Sequence, residues 1–222
     1  MIELRDIVKE YFTSSGEIVK ALSNINIAIK EGELVVLRGA SGSGKSTILS
    51  LIASLCKPTS GEVIVNGERV SKLLDNFASD FRRDTLGFVF QKFNLLPNLS
   101  VKENVILPLV PLNLDAKEVE KSVLRVLEMF HIEHKANQPV KNLSGGEQQR
   151  VAIARANINN PKIILADEPT ANLDEELSLH FIEMLKELKG QGKTIVVATH
   201  DPIFFDLKIV DRVITLHQGM LL

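Results

Sequence analysis

The chain has 222 residues, is 45% hydrophobic, and carries 26 basic and 28 acidic residues for a formal charge of −2. That length can bury a substantial interior, as one fairly large domain or as a core with an inserted lobe. The charge balance gives no whole-chain attraction to nucleic acid or to an anionic membrane, so no nucleic-acid partner is expected. The single cysteine, Cys56, excludes a disulfide framework and reads as a small buried apolar residue. The N-terminal stretch from Met1 to Asp6 lacks the charged-then-apolar layout of a secretion signal. No run approaches the roughly 18 apolar residues of a membrane span. Val105 to Leu112 comes nearest and is broken by Pro108 and Pro111.

In chain order, Leu22, Ile25, Ile27 and Ile29 alternate enough to predict an early strand, closed by a turn at Glu31-Gly32 before the buried-looking run Leu34 to Leu37. A helix is expected from Lys45 to about Leu55, ahead of Pro58. Glu62 to Asn66 reads as a strand ending in an Asn66-Gly67 turn, and Leu86 to Phe90 as a further short strand. The texture then changes to prolines and an amphipathic helix, Lys117 to Phe130, whose Val119, Val123, Val126, Leu127 and Phe130 follow helical spacing. Ile163 to Ala166 is a continuous apolar strand of the parallel-sheet kind. A helix covers about Glu175 to Lys189, with Gly190 and Gly192 helping to end it. Thr194 to Ala198 and Val213 to Leu216 are the last strands. The alternation of strands and helices argues for layered α/β architecture.

Between an apolar strand and a helix, Gly39-Ala40-Ser41-Gly42-Ser43-Gly44-Lys45-Ser46, followed by Thr47, matches a phosphate-binding loop. Its glycines let several backbone N–H groups point at one anion, and the helix start adds positive potential. Lys45 reaches for the β- and γ-phosphates, and the Ser46 hydroxyl suits Mg2+. Asp167 and Glu168 end the Ile163 to Ala166 strand, at the edge where ligands bind in open α/β sheets. Leu143-Ser144-Gly145-Gly146-Glu147-Gln148-Gln149-Arg150 by itself reads as a helix start, with Ser144 as N-cap and Glu147 in the first turn. His131 and His134 have no neighbouring metal-ligating cluster and read as surface residues.

Those three motifs in that order resemble the ATP-binding-cassette (ABC) ATPases, and the resemblance runs from about Ile2 to Gly219. It implies a P-loop NTPase core with a mostly parallel sheet, an antiparallel β subdomain and an inserted α-helical lobe. The core and β subdomain would comprise 1–91 and 161–222, and the lobe 92–160, within one domain. The resemblance implies that Asp167 holds Mg2+ through water and that Glu168 polarises the attacking water. Gln91 would sense the metal, and His200 would contact the γ-phosphate. Tyr11 would stack on adenine, although Phe12 stands beside it. Asn172-Leu173-Asp174 resembles the segment that faces a partner subunit. Ser144, Gly145, Gly146 and Glu147 would close over a nucleotide held by a second copy, so one chain makes half of each site. ATP and Mg2+ are the implied cofactors.

Several stretches are similar to the lipoprotein-release, macrolide-efflux and cell-division branch (LolD/MacB/FtsE): Gly39 to Gly44, Leu86 to Pro97, Asn104 to Pro108 and Leu143 to Gln149. In this branch Glu147 replaces the general Gln. Two departures stand out: Asn157, where an apolar residue is usual, which would loosen local packing, and Gln218-Gly219. The implied partner is an integral-membrane permease on a separate chain, with this subunit at the cytoplasmic face of the inner membrane. Phe93, Leu95, Leu96 and Leu99 are candidates for the permease socket. The alternative is a signalling module of the cell-division type that moves no substrate. A soluble DNA-repair or translation ATPase is disfavoured, since the chain has neither their long insertions nor a second cassette.

Overall fold

The computed structural model describes residues 1–222 except Ser15 and Asn172. Strands β1 (Ile2–Phe12), β2 (Ile18–Ile29), β3 (Leu34–Arg38), β4 (Ser60–Val65), β5 (Leu86–Val89), β6 (Ile163–Asp167), β7 (Thr194–Thr199), β8 (Arg212–His217) and β9 (Met220–Leu221) alternate with helices. The helices are α1 (Lys45–Ile52), α2 (Asp75–Thr85), α3 (Val101–Ile106), α4 (Ala116–Met129), α5 (Gly145–Asn157) and α6 (Glu175–Gly190). Among the described residues two sheets form. One is antiparallel, in the order β2-β1-β4. The other runs β5-β6-β7-β3-β8-β9 and is parallel except for β9.

The strands of the parallel sheet are apolar throughout because both faces are covered. Leu34, Val36, Ile164, Ala166, Ile195 and Val197 face a core shared with α4, α5 and α6. Val35, Leu37, Ile163, Leu165, Val196 and Ala198 face a second core shared with α1 and the antiparallel sheet. Helices α3, α4 and α5 fall in the segment expected to be helical, and their apolar faces join the first of these cores.

The structure departs from the sequence reading at identifiable places. Strand β1 escaped the alternation test because a bulge shifts the register between Leu4 and Ile7, with Asp6 at φ 49°, so that Ile2, Leu4 and Ile7 are all buried out of period. Helix α1 stops at Ile52, not near Leu55, because Ser54 turns left-handed at φ 50° and the Leu55 amide closes onto the Ser50 carbonyl. The Asn66-Gly67 turn has both residues at positive φ, as a tight hairpin turn requires. Helix α2 was hard to read because it is mostly polar, with only Ala78 and Phe81 buried. Cys56 is half-buried, beside Tyr11, rather than fully inside.

Asn157 is a finding of its own. It is completely buried at the end of α5, donates from Nδ2 to the Met129 sulfur at 3.4 Å, and leaves Oδ1 without a partner among the described residues. An unmet buried acceptor costs about 1–3 kcal/mol. Asn157→Leu should therefore stabilise the fold by about 1 kcal/mol, raising the thermal midpoint by about 2–4 °C; a lowered midpoint in calorimetry would contradict this account of the site.

Candidate nucleotide site

The site begins where β3 ends. Gly39 must be glycine because an added Cβ would lie 2.4 Å from Ser43 Oγ and 2.5 Å from the Leu216 carbonyl oxygen. Gly44 takes φ 104° and lets β2 pass so close that a Cβ would meet Leu22 Cδ2 at 2.6 Å. Helix α1 then starts with no side-chain cap and no acidic residue in its first turn, leaving its N–H groups and positive end for an anion.

Lys45 is buried in the loop it follows. Its Nζ donates to the carbonyls of Gly39 at 2.7 Å and Ala40 at 3.1 Å and pairs with Glu168 Oε1 at 3.1 Å. Ser46 Oγ donates to Asp167 Oδ1 at 2.8 Å across the gap between α1 and the end of β6. Burial pushes the Asp167 carboxyl up, the Ser46 hydrogen bond and Lys45 pull it down, and the neighbouring Glu168 charge adds to the rise; the net direction is upward.

Glu168 sits at φ 43°, a left-handed conformation pinned by its amide, which donates to the Ala198 carbonyl at 2.8 Å. Its Oε2 meets His200 Nδ1 at 2.9 Å and accepts from the Thr199 hydroxyl at 3.2 Å and the His200 amide at 3.3 Å. Burial raises this carboxyl, but the hydrogen bonds and charges of His200 and Lys45 outweigh it, and it lies below its ordinary 4.5. The two adjacent carboxylates are thus driven apart in acidity. Ala21, Ser41 to Thr47, Gln91, Glu168 and His200 line one pocket of about 340 Å3, which gathers the catalytic candidates and most of the phosphate loop; Asp167, Gly39 and Ala40 do not line it, and Asp167 joins it through the Ser46 hydroxyl.

The remaining nucleotide candidates do not line it. Ser144 caps α5, accepting from the Glu147 amide at 3.3 Å while Glu147 Oε2 accepts from the Ser144 amide at 2.8 Å. Ser144 and Gly145 are exposed. Gly146 is buried because a Cβ there would lie 2.4 Å from Leu177 of α6. Asp174 is exposed and caps α6, accepting from the Leu177 amide at 2.9 Å; the neighbouring Asn172 lies outside the described residues. Tyr11 stands on β1 with Lys9 Nζ 4.7 Å from its ring centroid and its hydroxyl 3.9 Å from Cys56 Sγ.

Sequence reasoning missed the supports of the turn after β6. Gln149, buried in α5, donates to the Pro169 carbonyl at 2.7 Å, and the Thr170 hydroxyl donates to Asp201 at 2.7 Å. Their only sequence signal was adjacency to the motifs. A second groove, of about 370 Å3, is lined by Arg82, Leu86, Phe88, Phe90, Pro108 and Pro111 among others. None of Phe93, Leu95, Leu96 or Leu99 lines it; Leu95 packs against the helical-side core, and Leu96 is exposed.

Residues 22–171 match the ABC transporter family. The chain belongs to that family. It is 48% identical over 206 residues to the uncharacterized ABC transporter ATP-binding protein MJ0796 of Methanocaldococcus jannaschii, covering 90% of this chain and 87% of that one. It is 40% identical over 221 residues to the cell division ATP-binding protein FtsE of Bacillus subtilis, covering 100% and 94%. Identity is also 40% over 220 residues with the macrolide export ATP-binding/permease protein MacB of Chlorobaculum tepidum, covering 99% of this chain and 33% of that protein. A dimeric structure of MJ0796 superposes with TM-score 0.91 at 46% identity over 100% of this chain and 96% of that one. A second MJ0796 dimer, a post-hydrolysis state bound to ADP and Pi, does so at 0.91 and 45% over the same shares. The chain is an ATP-binding ABC ATPase of the branch that includes FtsE and MacB.

The Glu168 contacts set a pH test for the nucleotide-free protein. A carboxyl held below 4.5 contributes stability that is present above pH 4.5 and lost as pH falls through its lower folded value. The wild-type thermal midpoint should fall more steeply in that acid range than that of Glu168→Gln; parallel acid limbs would contradict the assigned contacts.

Proposed function

We propose that this ABC ATPase works as a two-fold homodimer closed around two ATP molecules, each held by the phosphate loop of one copy and the Ser144 region of the other, and that closure drives a separate membrane permease. The observation that carries this is the half-walled pocket: Lys45, Glu168 and His200 share one cavity, while Ser144 and Gly145 sit exposed elsewhere on the same chain. A head-to-tail pair related by a two-fold axis supplies each pocket with its missing wall and makes two equivalent sites. The dimeric MJ0796 cassettes support the same arrangement.

The residues around Ser46 fit Mg2+. A hydroxyl and a carboxylate 2.8 Å apart, with Gln91 in the same pocket, are the hard oxygen donors that such an ion prefers. Asp167 is an acid whose buried charge a cation would stabilise. Bound Mg2+ would neutralise part of the triphosphate charge. Lys45 exchanges Glu168 for phosphate oxygens, Glu168 is freed to orient the attacking water, and His200 turns from Glu168 to the γ-phosphate. The α1 N-terminus and Ser144 of the other copy supply fixed positive dipoles.

The same reading divides the chain at 92 and 160, with the intervening helices moving as a lobe against the core. The groove beside β5 would receive a short amphipathic segment of the permease, apolar toward Phe88, Phe90 and Pro108. Among the described residues no helix is long and apolar enough to cross a membrane. The proposed place of the subunit, from its likeness to ABC transporter ATP-binding proteins, is peripheral, at the cytoplasmic face beside its permease. Lipoprotein, peptide or macrolide-like molecules are the proposed cargo. Similarity to the cell division protein FtsE supports a second reading, ATP-driven signalling through the same site. A periplasmic hydrolase-binding domain on the copurifying membrane protein would select it.

Two measurements check the assembly. Glu168→Gln should cut turnover by roughly 10²–10⁴-fold while running as a dimer with ATP, and as a monomer without it, in size-exclusion chromatography; wild-type turnover in that variant would overturn the role given to Glu168. Pro111→Asp, in the groove wall, should lose copurification with the permease and keep the ATPase rate of the isolated subunit; undiminished copurification would remove the groove as the docking site.

A further inference from the structure

Helix α5 carries Arg155 in its last turn, and the guanidinium reaches across to the loop that follows β5. One Nη donates to the Asn94 carbonyl and the other to the Phe93 carbonyl, each at 2.6 Å. Those two residues sit side by side in the left-handed region, at φ 49° and 56°. Asn accepts that conformation readily, whereas a bulky residue such as Phe holds it only under constraint. Among the described residues no carboxylate pairs with Arg155, and burial lowers its pKa, so a cation is taken from water for the sake of two carbonyls. The turn lies between the two cavities. Gln91, two residues before Phe93, lines the nucleotide pocket, and Asn94 and Arg155 line the second groove.

We propose that Arg155 is a positioning residue for Gln91: its forked guanidinium clamps the strained Phe93-Asn94 turn and so fixes where Gln91 enters the nucleotide pocket. The proposal rests on the reading of Gln91 as a residue that serves the bound nucleotide and its metal. It makes the far end of α5 an active part of the site, although Arg155 touches neither nucleotide nor metal.

The experiment is a double-mutant cycle on the full chain with MgATP. Lysine keeps the charge but has no planar fork to span two carbonyls. Arg155→Lys should lower kcat about tenfold with little change in KM, as a misplaced catalytic loop does. Arg155→Lys/Gln91→Ala should be no slower than Gln91→Ala alone, because residues acting as one unit do not add. Phe93→Gly in the Arg155→Lys background should restore much of kcat, since glycine takes positive φ without strain. That rescue also separates positioning from folding: a rate loss that tracks a lowered thermal midpoint and is not relieved by Phe93→Gly overturns the proposal. Additive losses in the cycle overturn it as well. A slow Gln91→Ala beside a full-rate Arg155→Lys removes the clamp alone, whereas a full-rate Gln91→Ala beside a slow Arg155→Lys removes the role of Gln91 and the proposal with it.

Discussion

A buried lysine charge organises this molecule. Lys45 is shut inside a loop whose glycines allow backbone and strand to crowd around it, and a cation so placed must find oxygen partners. Without nucleotide it uses two carbonyls of its own loop and the carboxylate of Glu168. That choice draws the end of β6 toward the start of α1 and brings Thr199, the last residue of β7, and His200 just after it onto the other oxygen of the same carboxylate. The parallel sheet exists, for function, to hold these strand ends in register. Asp167 pairs with Ala198 across β6 and β7, and Arg38 pairs with Thr199 across β3 and β7, so three strand ends meet at one edge.

On the proposed roles of Lys45 and Glu168, the resting arrangement differs from the working one. Glu168 cannot both neutralise Lys45 and orient a water, and a triphosphate offers Lys45 stronger oxygen partners. In the proposed mechanism phosphate entry exchanges one ion pair for another, and catalytic readiness becomes a consequence of binding. The turn after Glu168 is held on further sides, by Gln149 from α5 at Pro169 and by Asp201 at Thr170. Helix α5 also carries the Ser144 cap at its start and the Arg155 clamp at its end. One helix is thus connected to the turn after Glu168, to the Gln91 loop and, on the proposed dimer, to the nucleotide of the other copy.

Much of this was legible in the sequence because the chemistry depends on short, fixed spacings. The phosphate loop, the acidic pair ending an apolar strand, and Ser144 ahead of Glu147 each declare their local geometry, and the structure places them as a loop, a strand edge and a capping box. The parallel strands were legible from unbroken apolar runs, whose alternate residues feed the two cores. Strand β1 was hidden by its bulge at Asp6, and α2 by a helix that buries only two side chains. Hydrophobicity alone does not distinguish Leu95, which packs against the core, from Phe90, which lines a groove. The Lys45–Glu168 pair was out of reach for a different reason. It joins residues far apart in the chain, each of which has a separate role in the motif that names it, and no spacing rule says that they meet.

The competition between Glu168 and phosphate for Lys45 is tested most directly by the affinity of the subunit for ADP, a ligand that keeps a β-phosphate for Lys45 and removes the need for hydrolysis. Titration of wild type and Glu168→Gln at low protein concentration should give several-fold tighter ADP binding by the variant, because no carboxylate then has to be displaced. Equal or weaker binding by Glu168→Gln would contradict the account.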